Sequence, residues 1–184
     1  MSRKSARDRI LDAAEAVVLD NGAAHMSLDM VAKKAGVSKG GLMYHFPAKD
    51  ELLKDMIGRL LAEFYGEREK KFKGLKEGKG RLLKAEILAV LDPNERRDRM
   101  ALSILAAVAQ APYLLEPLRQ AHREHLDMLV KSGLPFDEAA VVSLASDGMM
   151  FLELLHLSPF SSSQREKIKK TMLRLIDEME TGNR

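Results

Sequence analysis

The chain has no cysteine, few aromatic residues (5% of 184) and a formal net charge of only +3. Without cysteine there are no disulfides and no thiolate metal sites. No apolar run approaches the length of about eighteen residues that a membrane-spanning helix needs. The opening, MSRKSARDRILDAAEAV, is charged and then amphipathic, and lacks the apolar segment and small-residue cleavage site of a secretory signal. A cytoplasmic address is expected. Chemistry-bearing patterns are equally scarce. There is no nucleophile motif, phosphate-binding glycine loop or carboxylate pair at a strand end, so neither an enzymatic activity nor a cofactor is expected. The nearly balanced charge permits nucleic-acid binding without demanding it. What the chain does have is apolar surface: at 46% apolar residues it can fill one compact domain, or two small ones sharing a helix.

The most informative stretch runs from Met26 to Phe46, MSLDMVAKKAGVSKGGLMYHF. Ser27 caps a short helix whose inward stripe is Met30 and Val31, with Ala32 small enough to let a second helix cross closely. Gly36 supplies the left-handed backbone of a sharp turn, and Val37 plugs the angle between the two helices. Ser38 caps the second helix. Leu42 and Phe46, four apart, form its buried side and turn Lys39, Gly40, Gly41, Met43, Tyr44 and His45 outward, where a DNA major groove would meet them.

Before this stretch, Arg3, Lys4, Arg7 and Arg9 crowd the amino end ahead of the stripe Ile10, Ala13, Ala14, Val17 and Val18. The spacing predicts a helix running to Asp20, stopped by Asn21 and Gly22, that completes a three-helix core. A charge run is usually a solvated face; beside a helix-turn-helix it reads as an arm touching phosphates. After Phe46, Pro47 opens a new segment with Asp50 and Glu51 favourable in the first helical turn. Lys49 stands where it can reach the same phosphate strand as Tyr44 and His45. The helix continues through Leu52, Leu53, Met56, Leu60, Leu61 and Phe64 towards Phe72.

The motif VSKGGLMYHFPAKDELL, preceded by Ala32 and Gly36, resembles the amino-terminal domain of the TetR family of transcriptional repressors. The resemblance covers about the first sixty residues. It implies an all-α homodimer of about nine helices, divided into a DNA-binding helix-turn-helix domain, 1–48, and an effector-binding and dimerising domain, 49–184. It implies phosphate contacts from Ser27, Tyr44, His45 and Lys49, and base-edge or groove contacts from Ser38, Lys39, Gly40, Gly41 and Met43. The chain departs from the family pattern at Gly41 and Met43, where threonine and tyrosine are frequent, and at Asp29, where some members carry a basic or polar residue. Two consecutive glycines weaken a helix by roughly 1 kcal/mol each relative to alanine, so a loose recognition helix that tightens on its operator is expected.

Beyond Phe72, the glycines 74, 78 and 80 among many lysines read as an exposed basic connection. A stripe from Leu82 to Leu91 ends at Asp92 and Pro93. Asn94 caps the next helix, whose run from Met100 to Ala109 is apolar nearly all round, as a central buried helix would be. Further helices are expected over about Leu115–Lys131, Asp137–His156 and Ser163–Met179. The last two have more apolar surface than one subunit covers, which predicts a two-fold contact formed by Val141, Leu144, Ala145, Gly148, Leu152, Met172, Leu175 and Met179.

Candidates for an effector pocket are Phe64, Met100, Ile104, Tyr113, Leu118, His122, His125 and Met149, all on helices expected around the second domain's centre. No lysine or arginine stands clearly inside these stripes, which favours a large apolar or amphipathic small molecule. His122 and His125 could share a metal with Glu153 or His156, but solvated or hydrogen-bonded histidines explain them more simply, and no metal is expected. The expected partners are a partly palindromic DNA duplex, a second copy of the chain and a small effector, with no membrane. The alternative is a helix-turn-helix regulator that takes no small molecule and answers to a protein partner.

Overall fold

The computed structural model describes residues 4–109 and 111–182; Arg3 of the basic amino end lies outside them. Among the described residues the chain is all-α, with nine α-helices, one short 3-10 turn and no strand. The helices are α1 (Ala6–Asn21), α2 (Leu28–Ala35), α3 (Lys39–His45), α4 (Lys49–Gly74), α5 (Arg81–Val90), α6 (Glu95–Val108), α7 (Glu116–Lys131), α8 (Phe136–Leu154) and α9 (Ser162–Thr181), with the 3-10 turn at Pro112–Leu115 before α7.

The boundaries follow from local chemistry. Ser5, Ser27, Ser38, Asn94 and Ser161 each place a side-chain oxygen to accept from a backbone N–H in the first turn of the helix that follows. Gly36 ends α2 at φ 66°, a conformation that L side chains rarely adopt. Helix α8 stops at Leu154, short of the expected His156, because His156 itself takes a positive φ of 55° and Pro159 follows.

The chain forms two compact units. One is built from the segment up to Leu61 together with Asn94–Gln120, the other from Ala62–Pro93 and the segment from Ala121 onward. The compact division therefore differs from an expected boundary after residue 48. The reason is the first core. Ile10, Ala14 and Val18 of α1 pack with Val31, Leu42, Phe46, Leu52, Met56 and Ile57, and the same cluster takes in Met100, Ile104 and Val108 of α6 and Leu114. Helix α6 buries one face here, while Leu105, Ala106 and Ala109 are exposed, so it is not apolar-buried all round as its composition suggested. Charged groups ring this core. Arg59 lies 2.6 Å from Asp12 and 3.4 Å from both Asp8 and Glu15, and Arg96 of α6 lies 2.5 Å from Glu15.

The second unit packs Leu83 and Ile87 of α5 with Leu129, Leu134, Ala139, Val142, Met172 and Ile176. The glycine-rich connection before α5 is not wholly exposed. Gly80 is buried and donates its N–H to Glu180 Oε1 at 2.6 Å, and a Cβ on it would stand 2.2 Å from Ile176 Cγ2. Lys84 closes this contact, its ammonium 2.6 Å from both Asp177 and Glu180.

Candidate nucleic-acid interface

Helices α2 and α3 meet at the Gly36 turn. Ser27 Oγ accepts from Met30 N–H at 3.3 Å, and Ser38 Oγ accepts from Gly41 N–H at 3.0 Å. With Val31, Ala32, Leu42 and Phe46 buried, the opposite face is set by periodicity. It presents Ser38, Lys39, Gly40 and Gly41 to solvent, with Met43 and Tyr44, the latter 86% exposed. His45 is half-buried, its ring edge-on to Tyr44 at 5.1 Å. Ser27 is exposed on the same turn that it caps.

Two of the basic groups are engaged inside the protein. Lys49 Nζ donates to the Ala24 carbonyl at 3.0 Å, which ties the start of α4 to the segment between α1 and α2. An ammonium has three donors, so this anchor leaves capacity for a phosphate. Lys39 lies 3.0 Å from Asp29 Oδ1 and 3.1 Å from Oδ2, across the turn between α2 and α3. At the amino end, Lys4 pairs with Asp12 at 2.8 Å, whereas Arg7 pairs with Asp55 at 2.7 Å and lays its guanidinium over the Phe46 ring at 4.8 Å. Arg9 is exposed.

The candidate pocket residues divide between the two units. Met100 and Ile104 are buried in the first core, Leu118 packs against it, and Tyr113 is 58% exposed with its hydroxyl bonded to Asp50. Phe64, His122, His125 and Met149 belong to the second unit, where Met149 is buried and His122 is exposed.

His125 has partners that local sequence could not supply. Its Nδ1 lies 2.7 Å from Glu86 Oε1 and its Nε2 lies 2.7 Å from Ser143 Oγ. The Arg68 guanidinium stands 3.8 Å from Glu86 Oε2, an oxygen that is buried without a hydrogen-bond partner. The Glu86 carboxylate raises the His125 pKa above its ordinary value, and burial raises that of Asp147 nearby. The sequence clue to this polar interior is Ser143, Ser146 and Asp147 on one side of the middle of α8, among apolar neighbours.

On α8, Val141 (65% exposed) and Leu144 (70% exposed) stand in an uncovered apolar stripe with Ala145 and Gly148, while Leu152 is half-buried. Leu175 and Met179 of α9 are half-buried and border a groove of about 600 Å³ with Val141 and Val142, edged by Asp137, Glu138 and Glu178. Met172 faces the other way, into its own unit's core, which takes it out of an apolar contact surface.

Two short capped helices joined at a left-handed glycine, the second exposing its amino-terminal turn, define a helix-turn-helix protein. Residues 10–56 match the signature described as "Bacterial regulatory proteins, tetR family", and residues 80–177 match "Tetracyclin repressor-like, C-terminal domain". The chain belongs to this tetR family of transcriptional regulators. It is 40% identical over 63 residues to the HTH-type transcriptional regulator SrpR of Pseudomonas putida, a match spanning 31% of this chain and 30% of that protein. The fold is similar to that of a TetR-family member from Streptomyces coelicolor A3, with a TM-score of 0.72 at 23% identity, covering 94% of this chain and 98% of that one. It is also similar to the multidrug binding protein EbrR, solved with imidazole, with a TM-score of 0.69 at 23% identity, covering 92% and 88% of the two chains. At such identities the structural likeness is one of fold.

Proposed function

We propose that the protein is a homodimeric, sequence-specific DNA-binding transcriptional repressor, released from a partly palindromic operator by a small, largely apolar effector. The observation that carries this reading is the exposed face of α2 and α3, capped and braced from behind, in a chain whose family signatures cover both ends of the molecule. Residues 1–48 act as the reader, with a core completed by the start of α4 and by α6. Ser27, Tyr44, His45 and Lys49 grip phosphates, and Ser38, Lys39, Gly40, Gly41 and Met43 face the groove.

In the part from residue 49 onward, the uncovered stripe of Val141, Leu144, Ala145 and Gly148, continued by Leu152, Leu175 and Met179, pairs with its copy about a two-fold axis. Phe64, His122, His125 and Met149 are the effector candidates that remain once Met100, Ile104 and Leu118 are assigned to the first core and Tyr113 to the surface of that same unit, where it bonds Asp50. The effector acts by favouring a state in which the two reading heads are wrongly spaced.

The test is to select tight-binding duplexes from a random pool with the purified full chain, alongside sedimentation of the protein alone. A dimer that recovers paired half-sites with centres roughly 34–36 Å apart is the expected result. A monomer at working concentration, or no enrichment at low salt, overturns the reading. DNA binding unchanged by every compound that stabilises the protein in a thermal-shift screen moves control to a protein partner.

A further inference from the structure

The pair formed by Asp29 and Lys39 is unexplained by stability. An exposed ion pair contributes about 0–1 kcal/mol, and an acid in the first turn of α2 favours the helix dipole wherever its carboxylate points. What needs a reason is an acid on a face that is to approach polyphosphate. Both side chains are largely exposed, 68% for Asp29 and 60% for Lys39. The ammonium is shared between the two carboxylate oxygens at 3.0 and 3.1 Å. The first turn of α3 offers little else for hydrogen bonding: Gly40 and Gly41 have no side chain, and the Ser38 hydroxyl oxygen holds the Gly41 N–H.

In the major groove a C·G pair shows the cytosine N4 amino donor directly beside the guanine O6 acceptor, with N7 next to it. A carboxylate beside an ammonium is the complementary arrangement, acceptor to donor and donor to acceptor. We propose that Asp29 and Lys39 read one C·G pair of each half-site as a unit, Asp29 accepting from cytosine N4 and Lys39 donating to guanine O6 or N7. This rests on the DNA-reading function proposed above and adds its specificity. It converts the residue that repels phosphate into one that selects a base carrying an exposed amino group, with Lys39 on guanine O6 or N7 favouring C·G over A·T.

The test is duplex selection from a random pool with the full-length protein and with Asp29→Ala, Asp29→Asn and Lys39→Ala, each first checked for unchanged helicity and melting. The expected result is a half-site position at which the native protein prefers C·G by about 10-fold or more. Asp29→Ala and Lys39→Ala each lose that preference at the same position and keep the others. Asp29→Asn shifts it towards adenine, whose N6 and N7 suit an amide.

The proposal is overturned if Asp29→Ala keeps the cytosine preference, or if the two alanine variants relax different positions. It is also overturned if Asp29→Ala tightens binding to all duplexes equally with a salt slope steeper by about one, since Asp29 then only withholds Lys39 from phosphate. A native protein that enriches nothing removes the DNA-reading function itself, a result distinct from enriched sites that the Asp29 variants leave unchanged.

Discussion

The two compact units pack their helices around interiors of different character. In the first, Ile10, Leu42, Phe46, Leu52, Met56 and Ile57 are fully enclosed, and the ion-pair cluster of Asp8, Asp12, Arg59 and the buried Glu15 lies beside that apolar core. In the second, Glu86, His125 and Ser143 meet in the interior, and an apolar stripe is left on the outside of α8. A unit with its apolar residues inside is built to hold one surface in register. The second places a titratable carboxylate–imidazole contact among its helices, where protonation changes stability, and leaves apolar surface uncovered.

The largest expected effect tests the first interior. Phe46→Ala should cost about 3–5 kcal/mol, because it empties a fully buried ring site that Arg7 covers. Urea denaturation of the full chain measures it, and a loss below about 1 kcal/mol would show that this core is looser than its burial indicates. Leu144→Glu, by contrast, should leave the monomer's stability nearly unchanged, since the side chain is 70% exposed. It should weaken dimerisation by about 100-fold, the scale of an interface hot spot. Sedimentation equilibrium separates the two effects, and an undisturbed dimer would move the contact off α8.

Lys49→Ala should lower stability by about 1 kcal/mol through the lost bond to the Ala24 carbonyl. It should also weaken binding to all duplexes alike, with the salt dependence flatter by about one unit. A changed sequence preference would make Lys49 a base reader instead.

Asp12 in the first unit and His125 in the second should also answer pH with opposite sign. Asp12 is held below its ordinary value of 3.8 by Lys4 and then by Arg59, so its contribution is present above 3.8 and is lost as pH falls through the lowered value. His125 is raised above 6.5 by Glu86, so its contribution is complete below 6.5 and is lost as pH rises through the raised value; the raised Asp147 acts in the same direction. Amide exchange followed segment by segment should show α1 loosening first on the acid side, and α5, α7 and α8 loosening as pH rises above 6.5. His125→Gln should diminish the second response and leave the first.

The smallest effect separates neighbouring glycines. Gly40→Ala meets open space and should stabilise α3 by about 0.5–1 kcal/mol. Gly41→Ala should gain less, because its Cβ would press on Ser38 Oγ at 3.2 Å. Melting curves compare them, and equal gains would show that the Ser38 hydroxyl moves aside freely.

Sequence reading went furthest where the cause was local. The serine caps, the Gly36 turn and the four-residue spacing of Leu42 and Phe46 lie within a few residues of what they control, so α2 and α3 were legible almost to the residue. Partners far along the chain were not. Lys49 reads from the sequence as a phosphate contact alone, because the carbonyl it holds lies 25 residues earlier. For His125 the sequence offers a pocket position or a hydrogen-bonded ring but no named partner, because Glu86 and Ser143 stand on other helices. The lysines around Gly80 disguised a close approach that only α9 makes visible. The composition of α6 pointed to a helix buried on all sides, yet composition does not say which core a helix enters.

That Met100, Ile104 and Val108 complete the reader's interior has a practical corollary for protein engineers. The portable cassette is discontinuous: a chimera that exchanges residues 1–48 between relatives inherits a mismatched lining at its rear. Grafting α6 along with the reader is what would carry a foreign DNA preference across intact.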